Sequence, residues 1–175
     1  MARKALTSND VELTLACIPN DRWALRNRLL VQMTHLAGAR VVDLANMTIG
    51  DVLTLSGEVM EQVELANSRR LVLCGELRHA IAEYLVAQFG LKCTSGAAYT
   101  FGSYPLFYTQ KLNAFTPAVL SHLFTRLYRN AGLTATGISG RKSWLRRIAK
   151  QVREVKHLEH LAGKRALQRE LQLAL

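Results

Sequence analysis

Arginine and lysine side chains are the residues of this sequence with the clearest chemical use. They carry positive charge at neutral pH and donate hydrogen bonds to phosphate and carboxylate oxygens. Three groups stand out: Arg40 three residues before Asp43, the adjacent pair Arg69 and Arg70, and a basic run that begins at Arg141. Such groups predict binding of a polyanion, and the plain alternative is a basic surface in contact with solvent.

The positive charge is unevenly distributed along the chain. The formal net charge is +10, and residues 141–175 contain ten Lys or Arg against three Glu, which is +7 of that total. This concentration favours a nucleic-acid-binding surface over general solubility. The basic residues of this region include Arg141, Lys142, Arg146, Lys150 and Lys164.

The cysteines and histidines do not predict a metal site or a cofactor. The three cysteines, Cys17, Cys74 and Cys93, are far apart and lack a CxxC spacing, so we expect small core residues in a reduced protein. His157 and His160 lie on one helix face but have no third ligand nearby.

Size and composition predict one folded domain over residues 1–175. The hydrophobic fraction is 49% and the charged fraction 21%, which is typical of a globular chain with a substantial core. No apolar run approaches the roughly 18 residues of a membrane span, and the N-terminus is too polar for a signal peptide. We therefore expect a cytoplasmic protein that does not bind membranes.

Helical periodicity predicts the elements that position the first arginine. A short helix capped by Ser8 or Asn9 runs to about Cys17, and a second helix ends at Gly38. A third, over 40–47, contains Arg40 and Asp43 on one face.

The pattern changes to that of strands between residues 51 and 74. The segments 52–55, 59–65 and 71–73 predict three short antiparallel strands, joined by turns at Ser56-Gly57 and Asn67-Ser68. A sheet this small needs helices packed on one face. The predicted fold is therefore mostly α with a small three-stranded antiparallel sheet.

Helices return in the second half of the chain. We expect one over 77–90, a loop at 92–104, and a helix that begins at Thr116-Pro117 and closes at Gly132. A glycine-bearing loop, 134–140, then leads into a basic helix over 141–153. Two further helical pieces are predicted near 156–161 and 164–175.

Four phrases in order resemble the catalytic domain of the tyrosine recombinases, or phage integrases. They are RNRLLVQMTHLAGARVVDLANMTIGDV, SRRLVLCGELRHAIAEYL, PLFYTQKLNAFTPAVLSHLFTRLYRNAGL and GISGRKSWLRRIAKQ. The resemblance covers about residues 6–173 and implies the mostly helical catalytic-domain fold. It also implies a chain without the family's amino-terminal DNA-clamping domain.

The resemblance assigns roles to three charged residues. Family members cleave DNA by attack of a tyrosine on a phosphodiester, and fixed cationic groups stabilise the developing negative charge. Arg40 matches the first active-site arginine and Asp43 the acid that holds it. Arg141 matches the second arginine.

Other catalytic positions are substituted in this chain. Ile138 stands where the resemblance places a histidine, and Lys164 stands at a later His or Trp position. The family's hairpin lysine is absent, since no lysine occurs between Lys4 and Lys92. Arg69 and Arg70 could contact phosphate there, but an arginine is a poor proton donor because its pKa stays above about 12.

The nucleophile is also missing from its expected position. The resemblance places the family tyrosine near Leu173, whereas the sequence has tyrosine only at positions 84, 99, 104, 108 and 128. The chain ends two residues after Leu173. We therefore also expect no tail that docks onto a neighbouring protomer.

Three functions agree with these observations. The first, which the resemblance implies, is a catalytically inactive, DNA-binding accessory or regulatory protein of a mobile element, phage or plasmid, associated with the nucleoid. It would bind duplex DNA through phosphate contacts from Arg40, Arg69, Arg70, Arg141, Lys142, Arg146, Lys150 and Lys164. The second is an enzyme that cleaves and rejoins DNA with Tyr128 or with a nucleophile supplied by a partner; a covalent adduct would favour it. The third is a module that inhibits an active recombinase protomer through Leu167, Leu171 and Leu175, and a complex formed without DNA would favour it.

Overall fold

The computed structural model describes residues 5–65, 69–90 and 101–162, with the helical backbone alone for 153–162. The chain divides into two compact units, Met1–Trp144 and Leu145–Leu175. The described part of the first unit contains the hydrophobic core and both strands. In the second unit the described part is the continuation of a helix that begins in the first.

Helix α1 covers Ser8–Ala16 and is capped by Thr7. The Thr7 hydroxyl accepts from the Asp10 amide at 3.1 Å, and the Asp10 carboxylate accepts from the Thr7 amide at 2.8 Å. The predicted caps, Ser8 and Asn9, were therefore wrong. Thr7 has a capping hydroxyl and is followed three residues later by an acid, so that each side chain accepts a hydrogen bond from the backbone amide of the other residue. Ser8 and Asn9 lie inside the helix instead.

Helices α2 and α3 lead to the first arginine. Helix α2 covers Ala24–Leu36 and α3 covers Val41–Asn46. Gly38 lies between them with φ of +67°, as expected for a residue that ends a helix in the left-handed region. Arg40 is the extended residue immediately before α3, and Asp43 is in the first turn of that helix.

The sheet within the described residues has two strands rather than the predicted three. Strand β1, Gln62–Leu65, pairs antiparallel with β2, Arg69–Val72. The predicted strand 52–55 forms only an isolated bridge between Leu53 and Val59. Its chain turns back at once, because the Thr54 amide donates to the Glu58 carbonyl at 2.8 Å. The mostly helical fold with a small antiparallel sheet is nevertheless confirmed.

Helix α4 covers Gly75–Phe89 and ends at Gly90, as predicted. Helix α5 covers Pro117–Asn130, and Thr116 caps it as expected, with its hydroxyl accepting from the Val119 amide at 3.3 Å. Helices α2 and α4 pack together, and α3 packs on α5. The described core includes Leu30, Met33, Leu44, Val63, Leu71, Leu77, Ile81, Tyr84, Phe107, Leu120, Phe124 and Tyr128.

Helix α6 covers Gly137–Ala162, and its start was predicted wrongly. The expected loop over 134–140 becomes helical at Gly137, where the Ser139 hydroxyl accepts from the Thr136 amide at 3.2 Å. Gly137 and Gly140 lie where α6 packs closely on other elements. A Cβ atom at Gly137 would collide with Val41, and one at Gly140 would collide with Thr34. The separate piece predicted near 156–161 is part of this continuous helix. The piece predicted at 164–175 lies outside the described residues.

The cysteines do not lie where composition placed them. Cys17 and Cys74 are exposed free thiols rather than core residues, because each flanks the end of a helix at the surface. Cys93 lies outside the described residues. No helix in the described part of the chain combines the length and apolar character needed to cross a membrane.

Candidate functional site

Asp43 is the centre of a group of three arginines. Its side chain is 5% exposed, and Oδ2 accepts from the Arg40 backbone amide at 2.9 Å. The Arg40 guanidinium also binds it, with Nη2 at 2.8 Å from Oδ1. From the sheet, Arg69 Nη1 donates to Asp43 Oδ2 at 2.9 Å. One carboxylate thus fixes two arginines from different elements.

The electrostatics of Asp43 reflect these contacts. Burial alone would raise the pKa of its carboxyl group, but the hydrogen bonds from Arg40 and the contact with Arg69 outweigh burial and lower it. The carboxylate is therefore ionised at neutral pH. Its single negative charge compensates one of the two positive charges of Arg40 and Arg69.

Arg141 completes the group from the start of α6. Its Nη1 donates to the Gly38 carbonyl. Arg141 and Arg40 line one cleft, and Arg40 and Arg69 bind the same carboxylate, so the three guanidiniums lie close together. Burial lowers the pKa of Arg141, and repulsion from Arg69 and Arg40 lowers it further. We call Arg40, Arg69 and Arg141 the arginine cluster. With Asp43 it carries a formal charge of +2.

Trp144 supports the cluster from one helical turn beyond Arg141. Its indole ring packs so closely on Gly38 that a Cβ atom at Gly38 would lie 2.5 Å from the ring. The Arg141 guanidinium lies 6.0 Å from the ring centroid. Gly38 therefore accepts a hydrogen bond from Arg141 through its carbonyl and contacts the indole ring at its Cα, which fixes the start of α6, up to Trp144, against the α2–α3 connection.

A cleft of about 430 Å³ opens beside Arg40 and Arg141. Its other lining residues are Val41, Val42, Pro117, Ser121, Gly137 and Ile138. Ile138 is 45% exposed, so a hydrocarbon side chain faces solvent at the position where the resemblance expects histidine. Two guanidiniums and the Ser121 hydroxyl are the polar side chains of this lining. The cleft can bind an anion, but Ile138 supplies no proton transfer.

The remaining predicted contacts are distributed over other elements. Arg70 is exposed and pairs with Glu64 at 3.2 Å, which leaves it outside the cluster. Lys142 follows Arg141 on α6 and is partly buried. Arg146 and Lys150 are exposed residues of α6 in the second unit.

Several predicted residues cannot be placed. Lys164, Leu173 and the leucine stripe at 167, 171 and 175 lie outside the described residues. His157 and His160 belong to the helical backbone whose side chains are not described. Among the described side chains, no group of three potential metal ligands occurs.

The described tyrosines lie away from the exposed cleft. Tyr84 and Tyr128 are 0% exposed, and burial raises the pKa of Tyr128 to about 12 and also raises that of Tyr84. Tyr108 donates its hydroxyl to Gln88 at 2.9 Å. Tyr104 is 53% exposed but, like the other three, does not line the cleft, and Tyr99 lies outside the described residues.

Two features of the site were not predicted from the sequence. Arg69 was expected only as a phosphate contact, and its hydrogen bond to Asp43 was not anticipated. Trp144 had no role in the sequence analysis, although it packs on Gly38. The signal for the first is the alternation in β2, which places Arg69 and Leu71 on one face, but the target of Arg69 depends on how the strand packs.

Comparison with solved structures identifies the architecture. XerA recombinase superposes with a TM-score of 0.65 at 16% identity, over 85% of this chain and 50% of XerA. The lambda integrase catalytic core gives a TM-score of 0.58 at 17% identity, over 92% of this chain and 91% of that core. XerH recombinase bound to a palindromic difH substrate gives 0.61 at 19% identity, over 89% and 44%.

The chain has the tyrosine recombinase catalytic-domain fold. It spans about half the length of the XerA chain and nearly all of the lambda integrase catalytic core. No protein-family model matches the sequence, and no curated protein matches it either. On this recombinase fold, the arginine cluster gathers residues that lie far apart in the chain.

Proposed function

We propose that this chain binds duplex DNA through the arginine cluster and does not itself cleave it. The observation that carries the proposal is the excess of positive charge around Asp43: two guanidiniums bind this one buried carboxylate, and a third, that of Arg141, is held nearby by the Gly38 carbonyl. A phosphodiester that enters the cluster supplies the missing negative charge. The same fold in lambda integrase and in XerH is described in complexes with DNA or with a difH substrate.

The cluster suits a phosphate because its guanidiniums are fixed before the ligand arrives. Arg40 is held by Asp43, and Arg141 is held by the Gly38 carbonyl. Guanidiniums bind phosphate oxygens with charge-assisted hydrogen bonds, and donors that are already oriented lose less conformational freedom on binding. We also propose phosphate contacts on the rest of the basic surface, from Arg70, Lys142, Arg146, Lys150 and Lys164.

We propose that the chain does not cleave DNA because groups that the reaction needs are not found at the cleft in the described residues. Ile138 cannot exchange a proton, and the described tyrosines do not line the cleft. Without a nucleophile, arginines that stabilise a transition state have no covalent step to accelerate. We propose an accessory or regulatory role, in a mobile-element, phage or plasmid context and at the nucleoid.

A second protomer is part of the proposal. A lambda integrase dimer bound to a COC′ core site has this fold with a TM-score of 0.59 over 92% of this chain. We propose that self-association, or association with an active recombinase, accompanies DNA binding. An enzymatic role with Tyr128 as nucleophile is disfavoured, because that side chain is fully buried and its pKa is raised to about 12.

Salt-dependent DNA binding tests the proposal. The affinity for a labelled duplex of about 30 base pairs is measured by fluorescence anisotropy between 50 and 300 mM salt. If six basic residues contact phosphates, log K falls against log salt with a slope of about −5. No measurable binding at 50 mM salt contradicts the proposal.

A further inference from the structure

A second basic pocket lies on another face of α5. Its volume is about 680 Å³, and it is lined by Arg26, Thr109, Gln110, Lys111, Phe115, Val119, His122, Leu123, Arg126 and Arg129. Helical residues advance by about 100° each, so His122, Arg126 and Arg129 face away from Pro117 and Ser121, which line the cleft of the arginine cluster. The two cavities are therefore separate.

Arg26 forms the fixed floor of this pocket. It is 4% exposed, and its Nη1 donates to the Tyr108 carbonyl at 2.8 Å while Nε and Nη2 donate to Asn27. Its guanidinium lies 4.4 Å from the centroid of the Trp23 ring and 5.2 Å from that of Phe115. A guanidinium has five N–H donors, so two remain after these three hydrogen bonds. The buried cation is thus held in place with donors still available.

The charge of the pocket is not compensated by its lining. Lys111, Arg126 and Arg129 form no ion pair within the described residues, and the described lining contains no Asp or Glu. Burial lowers the pKa of Arg26, and Arg126 lowers it further by repulsion, although Tyr84 and Asp21 act in the opposite direction. A buried positive charge without a paired carboxylate is costly, and a bound anion removes that cost.

We infer that this pocket binds a phosphate group at a site separate from the arginine cluster. Arg26 donates from the floor, while Arg126, Arg129 and Lys111 donate from the rim. The apolar wall of Phe115, Val119 and Leu123 excludes water from one side of the bound group. The phosphate belongs either to a free phosphate compound or to the backbone of DNA, and both sources have the same chemistry at this site.

A nuclear magnetic resonance titration with inorganic pyrophosphate tests the inference locally. The shifts of the Gln110, Lys111 and His122 amides report on this pocket and not on the arginine cluster. The variant that combines Arg126→Gln and Arg129→Gln is compared with a control that combines Arg28→Gln and Arg78→Gln. Each variant loses two positive charges from the first unit, and the amide spectrum verifies that each is folded.

We expect saturable shifts in the wild-type chain, at least tenfold weaker affinity in the pocket variant, and affinity within twofold of wild type in the control. The salt dependence of duplex binding then identifies the source. A slope reduced by about 0.9 per phosphate in the pocket variant alone assigns the site to DNA, and an unchanged slope assigns it to a free phosphate compound.

Absence of saturable shifts overturns the inference, as does equal weakening in the pocket variant and the control. The inference does not depend on the proposed function. A chain that binds no DNA can still bind pyrophosphate here, so the two can fail separately.

Discussion

Asp43 determines the orientation of two arginines with a single side chain. Its carboxylate binds Arg40 from the start of α3 and Arg69 from β2, so it links a helix to the sheet at the edge of the site. Replacing it leaves two guanidiniums without their common partner. Unlike a surface ion pair, this contact is largely shielded from solvent, since the Asp43 side chain is only 5% exposed.

Asp43→Asn is expected to destabilise the fold by about 1–3 kcal/mol at neutral pH, because an amide loses the charge that compensates its arginines. For a chain of this size, that lowers the melting temperature by roughly 2–12 °C. Glu64→Gln, which breaks only the exposed pair with Arg70, is the control and should change stability by less than about 0.5 kcal/mol. Equal melting temperatures for the two variants would contradict the role of Asp43.

The stabilisation from Asp43 depends on pH in a definite direction. Its folded-state pKa is lowered, so its contribution is complete above the unfolded pKa of about 3.9 and disappears as pH falls through the folded value. The stability difference between wild type and Asp43→Asn should therefore be constant between about pH 5 and pH 8. It should shrink below about pH 4, as measured by chemical denaturation across this range.

Arg69→Gln tests the use of the cluster in DNA binding while the Arg40–Asp43 pair is retained. We expect about tenfold weaker duplex binding, because a charge-assisted hydrogen bond to phosphate is lost. The slope of log K against log salt should decrease by about 0.9. Arg28→Gln removes the same charge from α2, and its affinity should remain within about twofold of wild type. Equal effects of both variants would show that total charge, and not the cluster, determines binding.

At the scale of elements, the site depends on the contact between the start of α6 and the α2–α3 connection. Gly38 has φ of +67°, and the Trp144 ring occupies the space where a side chain would extend. Gly137 and Gly140 bring the start of α6 equally close to Val41 and Thr34. These contacts place Arg141 beside Arg40, although the two residues are far apart in sequence.

Gly38→Ala is expected to destabilise the fold through both strain and collision with Trp144. Gly90→Ala is the matched control, since Gly90 has φ of +63° but nothing within 4 Å of an added Cβ atom. The control should lose about 1–2 kcal/mol from backbone strain alone, and Gly38→Ala about 1–3 kcal/mol more. Thermal denaturation measures both losses, and similar melting temperatures would contradict the packing role of Trp144.

The elements were largely predictable, but their junctions were not. The cap at Thr116, the end of α4 at Gly90 and the breaks around Gly38 follow from local chemistry and were predicted. Gly137 and Gly140 suggested a loop because glycine disfavours helices in isolation, whereas here tertiary packing requires the missing Cβ atoms. The predicted strand at 52–55 had a suitable local pattern but no partner in register.

In the site, too, local contacts were predictable from the sequence and contacts between distant segments were not. The pairing of Arg40 with Asp43 is local and follows from a spacing of three residues. The contacts of Arg69 with Asp43 and of Trp144 with Gly38 join distant segments, so periodicity alone cannot locate them. Composition likewise misplaced Cys17 and Cys74, because a helix end can leave an apolar thiol at the surface.

At the scale of the whole molecule, the described part of the chain carries the arginine cluster on a recombinase fold, and the described tyrosines do not line the cleft beside Arg40 and Arg141. We propose that the arginine cluster binds a phosphate, while Ile138 and the described tyrosines, from their positions, provide neither proton transfer nor attack. We therefore expect binding and cleavage to be separate in this chain, with DNA binding present and DNA cleavage absent.

Binding and cleavage in one reaction test this separation most directly. The chain is incubated with labelled duplex DNA that carries a suicide nick, which traps any phosphotyrosyl intermediate, and the products are resolved on native and denaturing gels. We predict a native shift at low salt and no band that resists denaturation. A covalent protein–DNA band would contradict this prediction, and mapping it would identify the nucleophile. Absence of any native shift would contradict DNA binding itself.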